Sequence, residues 1–260
     1  MPKKKTRPKI LLLDIETAPT LAYIWDLYTR YVPHSQVAEP GYTISWAAKW
    51  LGRNPMMFKS VYHDGEKAMV KGVHKLLDEA DIVIHYNGTK FDIPKLNQEF
   101  LELGMEPPAP VQEVDVYKTC KARFKLLSNS MSYVAKVLGI DGKVEHKGMD
   151  LWTECMAGDA KAWAHMKRYN IQDVRMLEQI YERVKPWIHT HPNLGLYDLA
   201  EVPICPNCGS HEVYVHPQMH HTKTMVYHRF KCRECGTWSR ARLNSTGTRE
   251  KKRSILVGVK

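Results

Sequence analysis

Apolar residues along this chain gather in short runs that end on charge, and these runs give way to longer stretches of helical period. Ile10-Leu11-Leu12-Leu13 is followed at once by Asp14-Ile15-Glu16-Thr17. A short apolar run bounded by charge predicts a strand buried on both faces, here over 9–16. Further strands are expected near 43–50, 56–62, 82–87 and 113–116. Apolar positions three and four apart predict helices near 66–79, 91–103, 130–138 and 159–184. Pro94 is tolerable only in a first helical turn, which fixes the start of the second helix. Gly104 and Gly139 each follow a helical run, as C-terminal capping glycines do. Residues 20–40 read as irregular and aromatic, with Trp25, Tyr28 and Tyr31 spaced as a helical stripe, which is more often a packing face than a base platform. Strands mixed with helices in this order predict a three-layer α/β domain over 1–190. Residues 191–203 lack a period and carry Pro, Gly and His, as a linker would.

Polar residues interrupt these elements at three places. Asp14 and Glu16 are two apart on a strand and so share a face. Asp81-Ile82-Val83-Ile84-His85-Tyr86 runs into the turn signal Asn87-Gly88, and Asp92 then opens a helix. Tyr169 and Asp173 are four apart on a helix otherwise rich in Trp163, Met166, Ile171, Val174, Leu177 and Ile180. Taken singly, each has a plain structural reading: polar strand exit, first-turn acid, core aromatic, surface acid. Taken together they suit phosphodiester hydrolysis. Clustered carboxylates repel unless protonated or bound to cations, and hard divalent cations prefer oxygen ligands. Two such ions about 3.5–4 Å apart activate water and stabilise a departing oxygen. A phenol titrating near 10 is a poor base, so Tyr169 is expected to orient the attacking water by a hydrogen bond.

In order, Asp14-x-Glu16, Asn87-x-x-x-Phe91-Asp92 and Tyr169-x-x-x-Asp173 resemble the three motifs of the DnaQ-like (DEDD) 3′–5′ exonucleases, over roughly residues 8–190. The tyrosine form resembles the DEDDy branch. In the DEDDh branch a His stands five residues before the last Asp; this chain has Arg168 there, and His165 is at the wrong spacing. The resemblance implies a ribonuclease H-like fold with a mixed five-stranded sheet. It implies Asp14, Glu16, Asp92 and Asp173 as ligands of two Mg²⁺ or Mn²⁺, with Tyr169 completing the catalytic set. It also implies release of nucleoside 5′-monophosphates from a 3′ end. Thr17 and Asn87 are candidate contacts to the terminal nucleotide and to the turn under Asp92.

Cysteine changes the picture at the far end. Cys205-Pro206-Asn207-Cys208-Gly209 and Cys232-Arg233-Glu234-Cys235-Gly236 are two knuckles separated by 23 residues. Together they make a tetrahedral Cys₄ set. Short strands are expected over 212–216, 225–231 and 237–242, and the module, 204–245, resembles a zinc ribbon holding one structural Zn²⁺. Histidines 211, 216, 220, 221 and 228 read as ribbon surface rather than a second site, since the four thiolates are already complete. Cys120 and Cys155 read as reduced thiols.

Charge is uneven. Residues 201–260 hold 11 Lys or Arg against 4 Asp or Glu, so +7 of the chain's +10 lies there. Such an excess favours polyanions. Arg229, Lys231, Arg240 and Arg242, interleaved with Tyr214, Tyr227, Phe230 and Trp238, are candidate nucleic-acid contacts; the rings could equally form the ribbon's small core. A basic tail follows over 246–260. Lys143 and Lys147 read as solvated loop lysines. The longest aliphatic run, Ile10–Leu13, is too short to span a bilayer, and Lys3-Lys4-Lys5-Thr6-Arg7 has no signal-type apolar run after it. The expectation is a cytoplasmic protein with no membrane partner. Its expected partners are single-stranded DNA or 3′ ends and a DNA polymerase or other replication protein. Any proofreading by this protein would be done as a chain separate from the polymerase. Trimming of DNA ends in replication or repair leads; RNA 3′-end processing, or a non-catalytic nucleic-acid-binding or polymerase accessory, stays open.

Overall fold

A computed structural model describes residues 7–140 and 148–257. The basic residues Lys3–Lys5, and Lys143 and Lys147, lie outside the described residues. The chain divides into two compact units, one over Lys9–Arg183 and one formed by Val184–Lys260 with Met1–Pro8.

The first unit is built on β1 (Ile10–Thr17), β2 (Leu21–Ala22), β3 (Val37–Glu39), β4 (Thr43–Trp50) and β5 (Met56–Ser60). Then come α1 (Val61–Asp64), α2 (Glu66–Glu79), β6 (Ile82–His85), α3 (Asp92–Glu102) and β7 (Gln112–Asp115). Helices α4 (Val116–Arg123), α5 (Met131–Val137), α6 (Met149–Met156) and α7 (Ala160–Val184) complete it. The main sheet is five-stranded in the order β5-β4-β1-β6-β7. β1 pairs antiparallel with β4 and parallel with β6, so the sheet is mixed as expected. On one face Leu11, Leu13 and Ile15 pack with Trp46, Met69, Val73, Leu77, Leu96 and Phe100, which belong to β4, α2 and α3. A second cluster joins Ala18 and Ile44 to Leu151 and Cys155 of α6 and Ala162, Trp163 and Met166 of α7. Ile10 and Leu12, on the face of β1 opposite Leu11 and Leu13, are buried too, so both faces of β1 are covered, which is why its sequence is a continuous apolar run rather than an alternating one.

Three helices of this unit, α1, α4 and α6, were not legible in the periodicity, and α1 begins within the strand expected over 56–62. α4 begins where Asp115 accepts a hydrogen bond from the Lys118 N–H at 3.3 Å, a side-chain cap. α6 is eight residues long, about two turns, too short to display a period. The expected helical stripe over Trp25, Tyr28 and Tyr31 is overturned. Asp26 accepts from the Tyr28 N–H at 3.0 Å and its carbonyl from the Thr29 N–H at 3.3 Å, which makes a turn. All three rings are exposed.

The second unit contains β8 (Val213–His221), β9 (Val226–Cys232) and β10 (Trp238–Arg240) in the antiparallel order β10-β9-β8, followed by α8 (Arg249–Arg253). Asn207 Nδ2 donates to the carbonyls of Lys185 and Ile188 at 2.8 and 3.0 Å, and the Leu194 N–H donates to the Pro206 carbonyl at 2.8 Å. The stretch before the first knuckle is thereby tied to it. Among the described residues, no helix is long and apolar enough to cross a membrane.

Candidate functional site

Strand period places the first acids. Leu11, Leu13 and Ile15 point into the α2–α3 side, so Asp14 and Glu16 point to the opposite face. There α7 meets them. Asp14, Glu16 and Asp173 each present a carboxylate oxygen within 4.8 Å of the others. Asn170 is fully buried; its Nδ2 donates to Asp14 Oδ2 at 2.7 Å and to the Asp14 carbonyl at 3.3 Å. Its Oδ1 accepts from Ser45 Oγ at 3.1 Å, and Ser45 is the β4 residue paired with Glu16. The β1–β4 register shifts between Glu16 and Thr17, and the half-buried Thr17 pairs with Thr43 at the strand's end.

Asp92 comes from a turn that is held tightly. Asn87 has φ 65°, and its N–H donates to Asp115 Oδ1 at 2.9 Å. The Gly88 N–H donates to Nδ1 of buried His85 at 3.0 Å; Nε2 therefore carries the ring proton and donates to Glu113 Oε2 at 2.9 Å. A Cβ at Gly88 would lie 2.5 Å from His85 Cγ, so the close approach requires glycine. Asp92 then stands first in α3, and its Oδ1 accepts from the Ile15 N–H, between the two β1 acids, at 3.2 Å. Three of the four expected acids thus share one cluster, and Asp92 braces the strand that carries two of them.

The electrostatics are those of an uncompensated anionic site. Burial, then Glu16, Asp173 and Asp92, hold the Asp14 carboxyl well above its usual range, against the lowering effect of Asn170. Burial, then Asp173 and Asp92, raise Glu16 likewise. Burial pushes Asp92 up to about 6, although the hydrogen bond from the Ile15 N–H favours its charged form. Burial and the carboxylates of Asp173, Glu16 and Asp14 push the Tyr169 phenol up, so it remains a donor at neutral pH. Its ring meets Trp152 of α6 edge-on, 5.9 Å between centroids. Such a set of hard oxygen donors fits divalent cations, which would remove the repulsion that raises these groups.

Asn170, Ser45, His85 and Trp152 escaped the sequence reading. One signal could have found Asn170. It occupies a core position of α7, four residues from Met166 and four from Val174, where the helical period calls for an apolar side chain.

In the second unit Cys205 Sγ lies 3.5 Å from Cys235 Sγ and Cys208 Sγ 3.6 Å from Cys232 Sγ. A disulfide would need about 2.05 Å. Four thiolates around one ion at about 2.3 Å would stand about 3.8 Å apart, so the spacing fits a tetrahedral Cys₄ site. Gly209 and Gly236, at φ 71° and 77°, turn the two knuckles. The four clustered cysteines fit a zinc-ribbon-like module. Its rings carry cations on their faces. Arg229 and Lys231 lie 5.0 and 5.1 Å from the Trp238 ring, Arg240 lies 4.0 Å from Tyr227, and Arg233 lies 4.7 Å from Tyr214. Arg242 is exposed, as are His211, His221 and His228, while His216 and His220 are half-buried.

No curated protein matches the chain. Among solved structures it is similar to the family B DNA polymerase from the hyperthermophilic archaeon Pyrobaculum calidifontis, at 17% identity and a TM-score of 0.52. That match covers 69% of this chain and 25% of the polymerase, and at this identity it speaks for the fold alone. The sequence profile of the RNase_H superfamily matches residues 38–185. The matched range begins after β1, so Asp14 and Glu16 join the site through the sheet rather than through the profile. With more than half of its length matched, and with the mixed five-stranded sheet that the fold requires, the chain belongs to the RNase_H superfamily.

Proposed function

We propose that this protein is a metal-dependent 3′–5′ exonuclease of the DEDDy type, acting on single-stranded 3′ ends, with DNA favoured. The observation that carries the reading is the convergence of Asp14, Glu16 and Asp173 oxygens within 4.8 Å, with Tyr169 one helical turn from Asp173. Superfamily membership supports a nuclease more broadly.

When bound, two Mg²⁺ or Mn²⁺ ions supply activation of water and charge stabilisation at the scissile phosphate and its leaving 3′ oxygen. The chain's own residues do the rest. Asp14, Glu16, Asp92 and Asp173 hold the cations. Asn170 fixes the Asp14 carboxylate from behind, and the His85–Gly88 turn fixes Asp92 at the head of α3. Tyr169, kept protonated by burial and by its anionic surroundings, donates a hydrogen bond that orients the attacking water. The products on this reading are nucleoside 5′-monophosphates. The Cys₄ module takes one structural Zn²⁺, and its guanidinium-rich face, Arg229, Lys231, Arg240 and Arg242, contacts phosphates. The supporting observation is that its ring faces already carry cations.

The test is degradation of 5′-labelled single-stranded DNA and RNA of matched sequence, each with Mg²⁺ and with EDTA. The reading expects one-nucleotide shortening with Mg²⁺, faster on DNA, and none with EDTA. Equal or faster loss of RNA would move the function to RNA 3′-end processing. A folded protein that binds both strands and shortens neither would be a non-catalytic accessory.

A further inference from the structure

The strands that carry and face the β1 acids do not stop at the site. Glu16 pairs with Ser45 and Thr17 with Thr43, and the Ala18 N–H donates to the Tyr42 carbonyl at 2.8 Å. The same two chain segments pair again as β2 and β3, Leu21 with Glu39 and Ala22 with Val37, and the Tyr23 N–H donates to the Gln36 carbonyl at 2.9 Å. The site-bearing ribbon is therefore prolonged into a hairpin, and its base is held by Thr20 Oγ1 accepting from the Gly41 N–H and by Lys95 Nζ donating to the Gly41 carbonyl. Beyond that base, the loop over 23–36 is aromatic. Tyr23, Trp25, Tyr28 and Tyr31 each expose 75% or more of their surface.

Four bare rings in nine residues are an interaction surface rather than a packing accident. Their kind and their place select the occupant. Tyr and Trp offer flat faces for sequence-tolerant stacking on bases. In the ribbon module, by contrast, Tyr214, Tyr227 and Trp238 carry cations on their faces. From Glu16 to Ala22 the chain can extend at most about 20 Å, the length of about six nucleotides at ~3.4 Å each. Unpaired bases a few nucleotides upstream of a 3′ end held at the acids fall within that reach.

We propose that Tyr23, Trp25, Tyr28 and Tyr31 form a stacking platform for the unpaired bases of the substrate strand upstream of its 3′ end. The inference rests on the proposed exonuclease reading and adds to it the part of the substrate that the acids do not touch. It makes the enzyme favour single strands long enough to span site and tip.

The experiment measures binding of 5′-labelled oligothymidylate and oligouridylate by the full chain carrying Asp14→Ala to block cleavage. Two lengths are compared, about 12 and about 4 nucleotides, the second too short to reach the tip. Adding Trp25→Ala and Tyr28→Ala is expected to weaken the longer strand at least about tenfold. The shorter strand and the salt dependence should be unchanged, because stacking releases no counterions. Trp25→Phe should retain most of the affinity, and the melting temperature should hold because these rings are exposed. Equal affinity of parent and double variant for the longer strand would overturn the platform. So would a dimer, seen by sedimentation, that the substitutions turn into monomers without loss of strand binding; the tip would then belong to a second copy. If the unsubstituted chain shortens 3′ ends and the tip variants match it at every length, only this inference fails. If it neither binds nor shortens any strand, the exonuclease reading fails first.

Discussion

Two donor sets in this chain differ in almost every physical respect. The oxygen set is gathered from residues 14, 16 and 173, brought together only by the pairing of sheet and α7. The sulfur set comes from two local knuckles, each already turned by its own glycine. The carboxylates sit over a large apolar core that is complete without them, and burial, then their mutual repulsion, raises their proton affinities. The sulfurs have almost no such core. Among the described residues from 204 onward, the only buried apolar side chains are Cys205 and Cys232. A site that costs stability and leaves coordination positions open suits chemistry; a closed site that replaces a missing core suits folding. The first unit should therefore fold without its metal and fail to act, and the second should lose its fold when its metal is lost.

Removing an acid should have the largest effect. Asp14→Ala and Asp173→Ala are each expected to lower the degradation rate by on the order of 10³ or more, and the double variant should be little worse, because the groups act as one unit. Folding should survive, since repulsion is relieved; circular dichroism and thermal melting check this. A folded Asp14→Ala protein with the original rate would remove the acids from the mechanism.

Next come the groups that aim the site. Tyr169→Phe deletes one hydrogen bond and keeps the ring against Trp152, so a loss of roughly 10- to 150-fold in rate is expected with cation affinity kept. Asn170→Ala should do the reverse. It frees the Asp14 carboxylate and leaves Ser45 without its acceptor, for a loss of about 10- to 100-fold in Mn²⁺ affinity by calorimetry. If Asn170→Ala bound Mn²⁺ as the parent does, the bond to Asp14 would be packing only.

The ribbon should give the smaller, separable effect. Cys205→Ser, or a chain ending at Asp198, is expected to keep Mg²⁺-dependent shortening while binding single strands more weakly. The log–log salt slope should fall by about 0.7 for every phosphate that the ribbon no longer neutralises. Equal affinities and slopes would reassign the basic face to a protein partner.

Smallest is the pH dependence of the cation-free chain. Asp14 and Glu16 are raised and Asp92 is raised to about 6, so the folded state binds protons that an unfolded Asp, near 3.9, has already released. The Asp92 share of this stability should be lost as pH rises from about 4 through about 6, and Asp14 and Glu16, raised well above their usual range, should shift stability in the same direction. Added Mg²⁺ at pH 8 should restore it. Melting temperatures across pH, with and without Mg²⁺, test both signs.

The α/β layering and the order of the acids were legible because β1 is apolar until Asp14 and because α7 keeps a period over 25 residues; the mixed five-stranded sheet was implied by the family resemblance. The cysteine knuckles were legible because their spacing is local. What stayed hidden depends on contacts between distant segments. The core position of Asn170 on α7 marks it as unusual, but its partner Asp14 is set by what β1 places against it, and α6 shows its value only where Trp152 meets Tyr169. The aromatic stripe misled because three rings at helical spacing look alike whether buried or exposed. Asp26, which makes the turn, was the residue that decided it.

The central claim is that chemistry belongs to the oxygen set and not to the sulfur set. The direct measurement is the cleavage pattern of 5′-labelled single-stranded DNA by protein gel-filtered into cation-free buffer and assayed for zinc. The account predicts about one zinc per chain, no cleavage as isolated, and a one-nucleotide ladder from the 3′ end once Mg²⁺ or Mn²⁺ is added. Full activity with zinc alone, or cuts inside the strand that survive Asp14→Ala, would contradict it.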